Sequence, residues 1–224
     1  MITDAQKKKI LQVVNVFETG TPNGKYDSVT RLFDGPGKIR QITYGRSQTT
    51  EYGNLKRLIE KYTQMNGSLS QNFIPYLNQI GKTALVDDNA FIALLKDAGR
   101  NDPVMKICQD EFFDLYYYLP AKAWADGFGF KEALSMLVIY DSFIHSGQIR
   151  KELRQQFAET PPSKGGREKI WIDEYVKARH NWLKNHSLKI LNKTIYRTKC
   201  FKDQITTGNW DLSQPVTANG TIII

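Results

Sequence analysis

Residues 130–145, FKEALSMLVIYDSFIH, constrain the fold more than any other stretch of this chain. Their spacing predicts a helix that is apolar on nearly every side, and such a helix has to be surrounded by protein. Ser146-Gly147 ends it. Asp141 is the exception inside it. A carboxylate between Tyr140 and Phe143 is costly to bury unless it is paired, unless it sits on an exposed helix edge. A second misfit lies on the long helix expected over 167–186, where Arg179 falls on the same side as Ile170, Tyr175, Ala178 and Trp182.

Around these, the pattern is mostly helical. Thr3-Asp4-Ala5-Gln6 has the form of a capping box, and Ile10, Val13, Val14 and Phe17 recur at helical spacing, which predicts a helix over 4–18. Further helices are expected over 51–64, 70–80, 88–98, 102–118 and 188–203, the fourth of these starting at Asp102-Pro103. Thr160-Pro161-Pro162-Ser163-Lys164-Gly165-Gly166 is a clear break. The tail from Asn209 is extended and rich in turn residues, with its terminal isoleucines either buried or on an edge strand.

At 224 residues the chain fits one large domain, or two lobes sharing a cleft. With 41% apolar and 24% charged residues it is composed like a globular protein. A net charge of +8 favours anionic partners, although a basic surface also serves solubility alone. No Lys/Arg run exceeds Lys7-Lys8-Lys9, and no basic–aromatic repeat occurs, which argues against nucleic acid. Cys108 and Cys200 could pair but make no disulfide framework. His145, His180 and His186 are too scattered to ligate a metal, and no cofactor is implied. The start, MITDAQKKKI, lacks an apolar signal region, and no apolar run spans a bilayer. The expectation is a monomer that is secreted or reaches the cell envelope without a visible signal peptide, or else stays in the cytoplasm.

The chemistry is expected in residues 17–54. Glu18 sits in the last turn of the first helix, against the helix dipole and beside Phe17. Both effects work against the ionised carboxylate, as a proton donor requires. Residues 23–34 read as a loop with an apolar patch at Val29, Leu32 and Phe33. Asp34-Gly35-Pro36-Gly37 reads as a tight turn, and 38–45 as a short strand. Gln41 and Thr43 share one face of that strand, and Ile42 and Tyr44 the other.

These pieces together resemble the family 46 chitosanases of the lysozyme-like superfamily. The resemblance spans nearly the whole chain. It rests on Glu18 at the end of the first helix, on Asp34-Gly35-Pro36-Gly37, and on residues 140–147, YDSFIHSG, which resemble the family's Tyr-Asp-x3-His-Gly helix end. It also rests on Ala178-Arg179, on Arg197 and on NWDLSQP at 209–215. It implies an α+β, predominantly α-helical, lysozyme-like two-lobed fold, with a small β-sheet near the N-terminus flanking a cleft, and one hydrolase domain over 1–224. It implies an endo-acting, metal-independent, inverting hydrolase of a β-1,4-linked amino-sugar polymer. Glu18 would be the general acid. Asp34 would activate a water, with the two carboxyls about 6.5–9.5 Å apart. Asp141, Arg179 and Arg197 would form a buried network orienting Glu18, since the arginine fork binds carboxylates bidentately. Thr43 and Gln41 are candidates for positioning the water, and Tyr44, Arg46, Glu51 and Asn54 for contacting sugar.

The sequence also departs from that family. The spacing from Glu18 to Asp34 is two residues short of the family's. Asp27, nine residues after Glu18, matches the spacing of phage-type lysozymes and rivals Asp34 as second carboxylate. Asn54 stands where the family has an aspartate for the glucosamine amino group. Chitosan is a polycation, whereas peptidoglycan carries acidic groups that a basic protein attracts. A muramidase is therefore the close alternative, and a non-catalytic polysaccharide-binding module the alternative of another class.

Overall fold

A computed structural model describes residues 2–46 and 49–224. In chain order the regular elements are α1 (Asp4–Thr19), β1 (Val29–Leu32), β2 (Gln41–Tyr44), β3 (Thr49–Thr50), α2 (Leu55–Gln64), α3 (Ser70–Phe73), α4 (Asn89–Asn101), α5 (Pro103–Phe113), α6 (Leu119–Gly127), α7 (Ala133–Ser146), α8 (Lys151–Arg154), α9 (Glu168–Lys184), α10 (Lys189–Asn192), α11 (Ile195–Thr207), β4 (Val216–Ala218) and β5 (Thr221–Ile223). The fold is α+β, mainly helical with a small antiparallel sheet, as the sequence led us to expect. The chain forms two compact units, one from Met1–Pro22 and Tyr116–Ile224, the other from Asn23–Leu115.

The larger unit is built on α7, buried without interruption from Ala133 to Ser142. Helices α1, α6, α9 and α11 pack against it. Helix α1 starts on the expected capping box, with Thr3 and Gln6 each accepting from the other's backbone N–H. It stops at Gly20, whose left-handed conformation (φ 76°) lets its N–H donate to Val16 O. The helix expected over 188–203 is instead two helices, α10 and α11. The tail closes as the hairpin β4–β5 around Asn219-Gly220, both at positive φ (44° and 85°), as a two-residue hairpin turn requires. Ile223 is buried beneath it, while Ile222 and Ile224 stay exposed.

The smaller unit packs the sheet β1–β2–β3 with α2, α4 and α5 around a core that includes Ile42, Tyr44, Leu58, Ile59, Tyr62, Phe73 and Phe91. Strand β1 corrects the loop expected at 23–34. It pairs antiparallel with β2, Val29 opposite Tyr44 and Leu32 opposite Gln41. Strand β2 is shorter than expected, because Gly37 and Lys38 adopt positive φ (65° and 64°) and keep the chain in a turn. Helix α2 begins at Leu55 rather than 51, since residues 51–54 form a turn. Helix α5 ends at Phe113, and a π-helical turn, Asp114–Tyr118, leads into α6. Pro120 in the first turn of α6 lacks an N–H and crowds the preceding turn, which widens the helix there.

Cys108 and Cys200 are free thiols, one buried in each unit. Burial pushes both up to about 12, so neither is a nucleophile at ordinary pH. Among the described residues no helix is long and apolar enough to cross a membrane.

Candidate active site

In the larger unit, four helices bring together Glu18, Asp141, Arg179 and Arg197. Asp141 is wholly buried on α7 and bridges two guanidiniums. Its Oδ2 accepts from Arg179 NH1 of α9 at 2.7 Å, and its Oδ1 from Arg197 NH1 of α11 at 2.7 Å. The other arm of Arg197, NH2, donates to Glu18 Oε1 at 2.5 Å. One rigid guanidinium therefore joins the buried aspartate to the half-buried glutamate. Arg179 NH1 also donates to Ser142 Oγ (3.2 Å), which receives Tyr175 OH at 3.1 Å. Tyr196 OH and Arg197 NH2 both donate to Phe17 O, at 3.0 and 3.4 Å, and so fix the backbone just before Glu18. The Arg197 guanidinium also lies over the Phe17 ring, 5.2 Å from its centroid.

The electrostatics follow from that arrangement. Burial alone would push the Asp141 carboxyl up, but Arg197 and Arg179 outweigh it and hold the carboxyl below the ordinary carboxylate range. Burial would lower Arg197, yet Asp141 and Glu18 raise it. Burial and the two arginines push His145 down to about 3, so its imidazole is neutral at working pH. The exposed-edge reading of Asp141 is thus overturned, because the carboxylate reaches no solvent.

In the smaller unit, the β1–β2 hairpin carries Asp34 exposed at its tip. Gln41 Nε2 donates to Asp34 Oδ1 at 2.9 Å, and Gln41 Oε1 accepts from Tyr52 N at 3.3 Å. Thr43, two residues along the same strand, is buried, and its hydroxyl has no partner among the described residues. Gly35 allows the tight turn, since a Cβ there would meet Ile39 O at 2.8 Å and Ile39 Cγ1 at 2.9 Å.

The remaining candidates are placed elsewhere. Asp27 Oδ2 accepts from Arg100 Nε and NH2, at 3.0 and 2.9 Å. Tyr44 lies in the core beside Ile42, which corrects its assignment as a sugar contact. Glu51 is likewise internal. Its carboxylate accepts from Ile42 N (3.0 Å) and Leu85 N (2.7 Å), so it braces the sheet instead of facing a ligand. Arg46 is buried in a pair with Asp110 and lies over the Phe113 ring, so it too serves packing. Asn54 stays half-exposed at the N-cap of α2. Sequence reasoning missed Tyr196 and the Ser142–Tyr175 pair. Nothing in a single sequence marks Tyr196, whereas Ser142 directly follows the conspicuous Asp141.

Comparison with known proteins identifies the family. The model of glycosyl hydrolase family 46 matches residues 12–216. The chitosanase of Bacillus subtilis (strain 168) is 28% identical over 94% of this chain and 80% of its own length. The crystal structure of native chitosanase from Bacillus subtilis MY002 superposes with a TM-score of 0.84 at 25% identity, covering 100% of both chains. A glutamate-to-alanine mutant of that chitosanase, complexed with 6 GlcN, gives the same TM-score, 0.84, at 25% identity and with 100% of both chains covered. The chain is a glycoside hydrolase and belongs to glycosyl hydrolase family 46.

Proposed function

We propose that the chain is an endo-acting, inverting chitosanase, with Glu18 as general acid and Asp34 as general base. The observation that carries this reading is Arg197, which bridges the wholly buried Asp141 to Glu18. A buried ion pair is a poor source of stability compared with apolar packing, and its retention here is accounted for by the need to aim one carboxyl. Glu18 delivers its proton to the glycosidic oxygen, and Asp34 removes a proton from the attacking water on the opposite face. Gln41 holds the Asp34 carboxylate, and the Thr43 hydroxyl, which has no partner among the described residues, is the group that orients the water. Asp34 is preferred to Asp27, because Arg100 occupies Asp27 through two N–H groups. Both units contribute to one hydrolase domain, and the enzyme works as a monomer without a cofactor. Asn54 is a tolerated change, and the polymer is chitosan, as for the relatives named above.

The test is release of reducing ends from chitosan and from purified peptidoglycan in parallel. Wild-type protein should act on chitosan. Glu18→Gln should lose roughly 10²–10⁴-fold in kcat while still binding the polymer. Release from peptidoglycan alone would mean that the scaffold serves wall lysis. Equal turnover in Glu18→Gln would remove that residue from the reaction.

A further inference from the structure

Residues 175–202 contain no Asp or Glu and carry eight Lys and Arg. Arg179 and Arg197 point inward to Asp141, and Lys177 pairs with Asp173. The other five, Lys184, Lys189, Lys193, Lys199 and Lys202, make no ion pair among the described residues. Lys199 and Lys202 lie two and five residues beyond Arg197, hence on the opposite, outer face of α11. Lys184, Lys199 and Lys202 surround His180 and, after burial, are what pushes its imidazole down. A large part of the net charge of +8 is therefore gathered on the α9–α11 face.

Two large exposed aliphatic side chains fall between these lysines in the sequence. Leu188 is 58% exposed at the N-cap of α10, and Ile190 is 68% exposed within α10. The connection between α9 and α10 is built. Asn192 Nδ2 donates to Leu183 O at 2.7 Å and to His186 O at 3.0 Å, tying the end of α9 to α10. Leu188 N donates to His186 Nδ1 at 3.0 Å, and the His186 ring stands edge-on to Trp182, 4.8 Å between centroids. The two aliphatics thus stand at the braced start of α10, with Lys189 between them and Lys184 and Lys193 on either side in sequence.

We infer that the lysine face of α9–α11 docks the enzyme on an anionic lipid surface, with Leu188 and Ile190 entering the headgroup boundary. Charge complementarity excludes the sugar polymer as the occupant, because chitosan is itself a polycation. A purely phosphate-rich polymer would use the lysines but has no use for two projecting aliphatics. A bilayer uses both, the lysines through the negative surface potential and the aliphatics through shallow burial. Docking is peripheral and needs no spanning segment.

Co-sedimentation of the full chain with vesicles tests this. Wild-type protein should pellet with mixed phosphatidylcholine–phosphatidylglycerol vesicles and stay in solution with phosphatidylcholine alone. L188D/I190D should weaken vesicle binding by about tenfold or more, with unchanged hydrolysis of soluble chitosan oligomers. K189E/K193E should weaken it further, and retained hydrolysis in that variant shows that it is folded. Absence of binding to the anionic vesicles overturns the inference. So does L188D/I190D binding like wild type while both proteins bind inorganic polyphosphate, since a polyanion would then be the partner.

Discussion

Arg197 is the residue on which the account of catalysis turns. It holds a buried aspartate with one arm and the proposed proton donor with the other. Arg197→Ala leaves Asp141 with Arg179 alone and frees Glu18, which should cost about 3–5 kcal/mol of stability. It should also lower kcat well beyond what that loss of stability explains, and denaturant unfolding beside kcat measurement separates the two. Wild-type melting and turnover would count against the network. Part of this was legible in the sequence, since Asp141 and Arg179 stand out as charges in apolar surroundings. The link to Glu18 was expected only from the family resemblance and not from the residues themselves, because residues 18 and 197 meet only through tertiary packing. The misplaced Tyr44 was avoidable. It shares strand parity with Ile42, and a strand that buries Ile42 buries Tyr44 with it. Glu51 and Arg46 are a different matter, because a buried charge that pairs with backbone N–H groups or with one distant aspartate leaves no local trace.

At the scale of elements, the β1–β2 hairpin sets where Asp34 stands. Gly35 is at an ordinary φ of −73°, so a side chain there is excluded by space and not by conformation. Gly35→Ala pushes Cβ against the Ile39 carbonyl and should move the tip that carries Asp34. The expected result is a loss of about tenfold or more in kcat with a modest change in melting, because the loop is exposed and small misplacements of reacting groups are expensive. Unchanged kcat would mean that Asp34 needs no such placement. Long periodic helices such as α1, α7 and α9 were readable within a few residues of their observed ends. Strand β1 was not, because its hydrogen bonds come from β2, and VTRL lacks an apolar alternation of its own. The division of 188–203 into α10 and α11 follows from the Asn192 side chain tying α10 to the end of α9, a contact that periodicity does not report.

At the scale of the whole molecule, the buried network ties stability to pH. The folded protein keeps His145 neutral down to about 3, whereas an unfolded histidine takes up its proton near about 6.5. Between those values the unfolded state binds more protons, so stability must rise with pH across that window and fall on acidification. The depressed Asp141 carboxyl works in the same direction. Its contribution is present above about 3.9 and is lost as pH falls through its folded value. Melting temperature should therefore drop from neutral pH towards pH 4, and His145→Asn should flatten that slope. An identical slope in the variant would assign the acid lability to other groups. Net charge, by contrast, was visible from composition but pointed away from the proposed substrate. It favoured an acidic polymer, whereas the relatives are chitosanases, one of them complexed with 6 GlcN. Composition reports the sum of charges and not the face on which they gather.

The central claim is a single displacement by water, with Glu18 and Asp34 as acid and base. The direct measurement is proton NMR of chitosan oligomers during the first turnovers, before mutarotation mixes the anomers. The account predicts that the α-anomer of the new reducing end appears first, from a β-1,4 linkage. Initial formation of the β-anomer would contradict it, because that outcome requires a covalent intermediate and a different role for the second carboxylate.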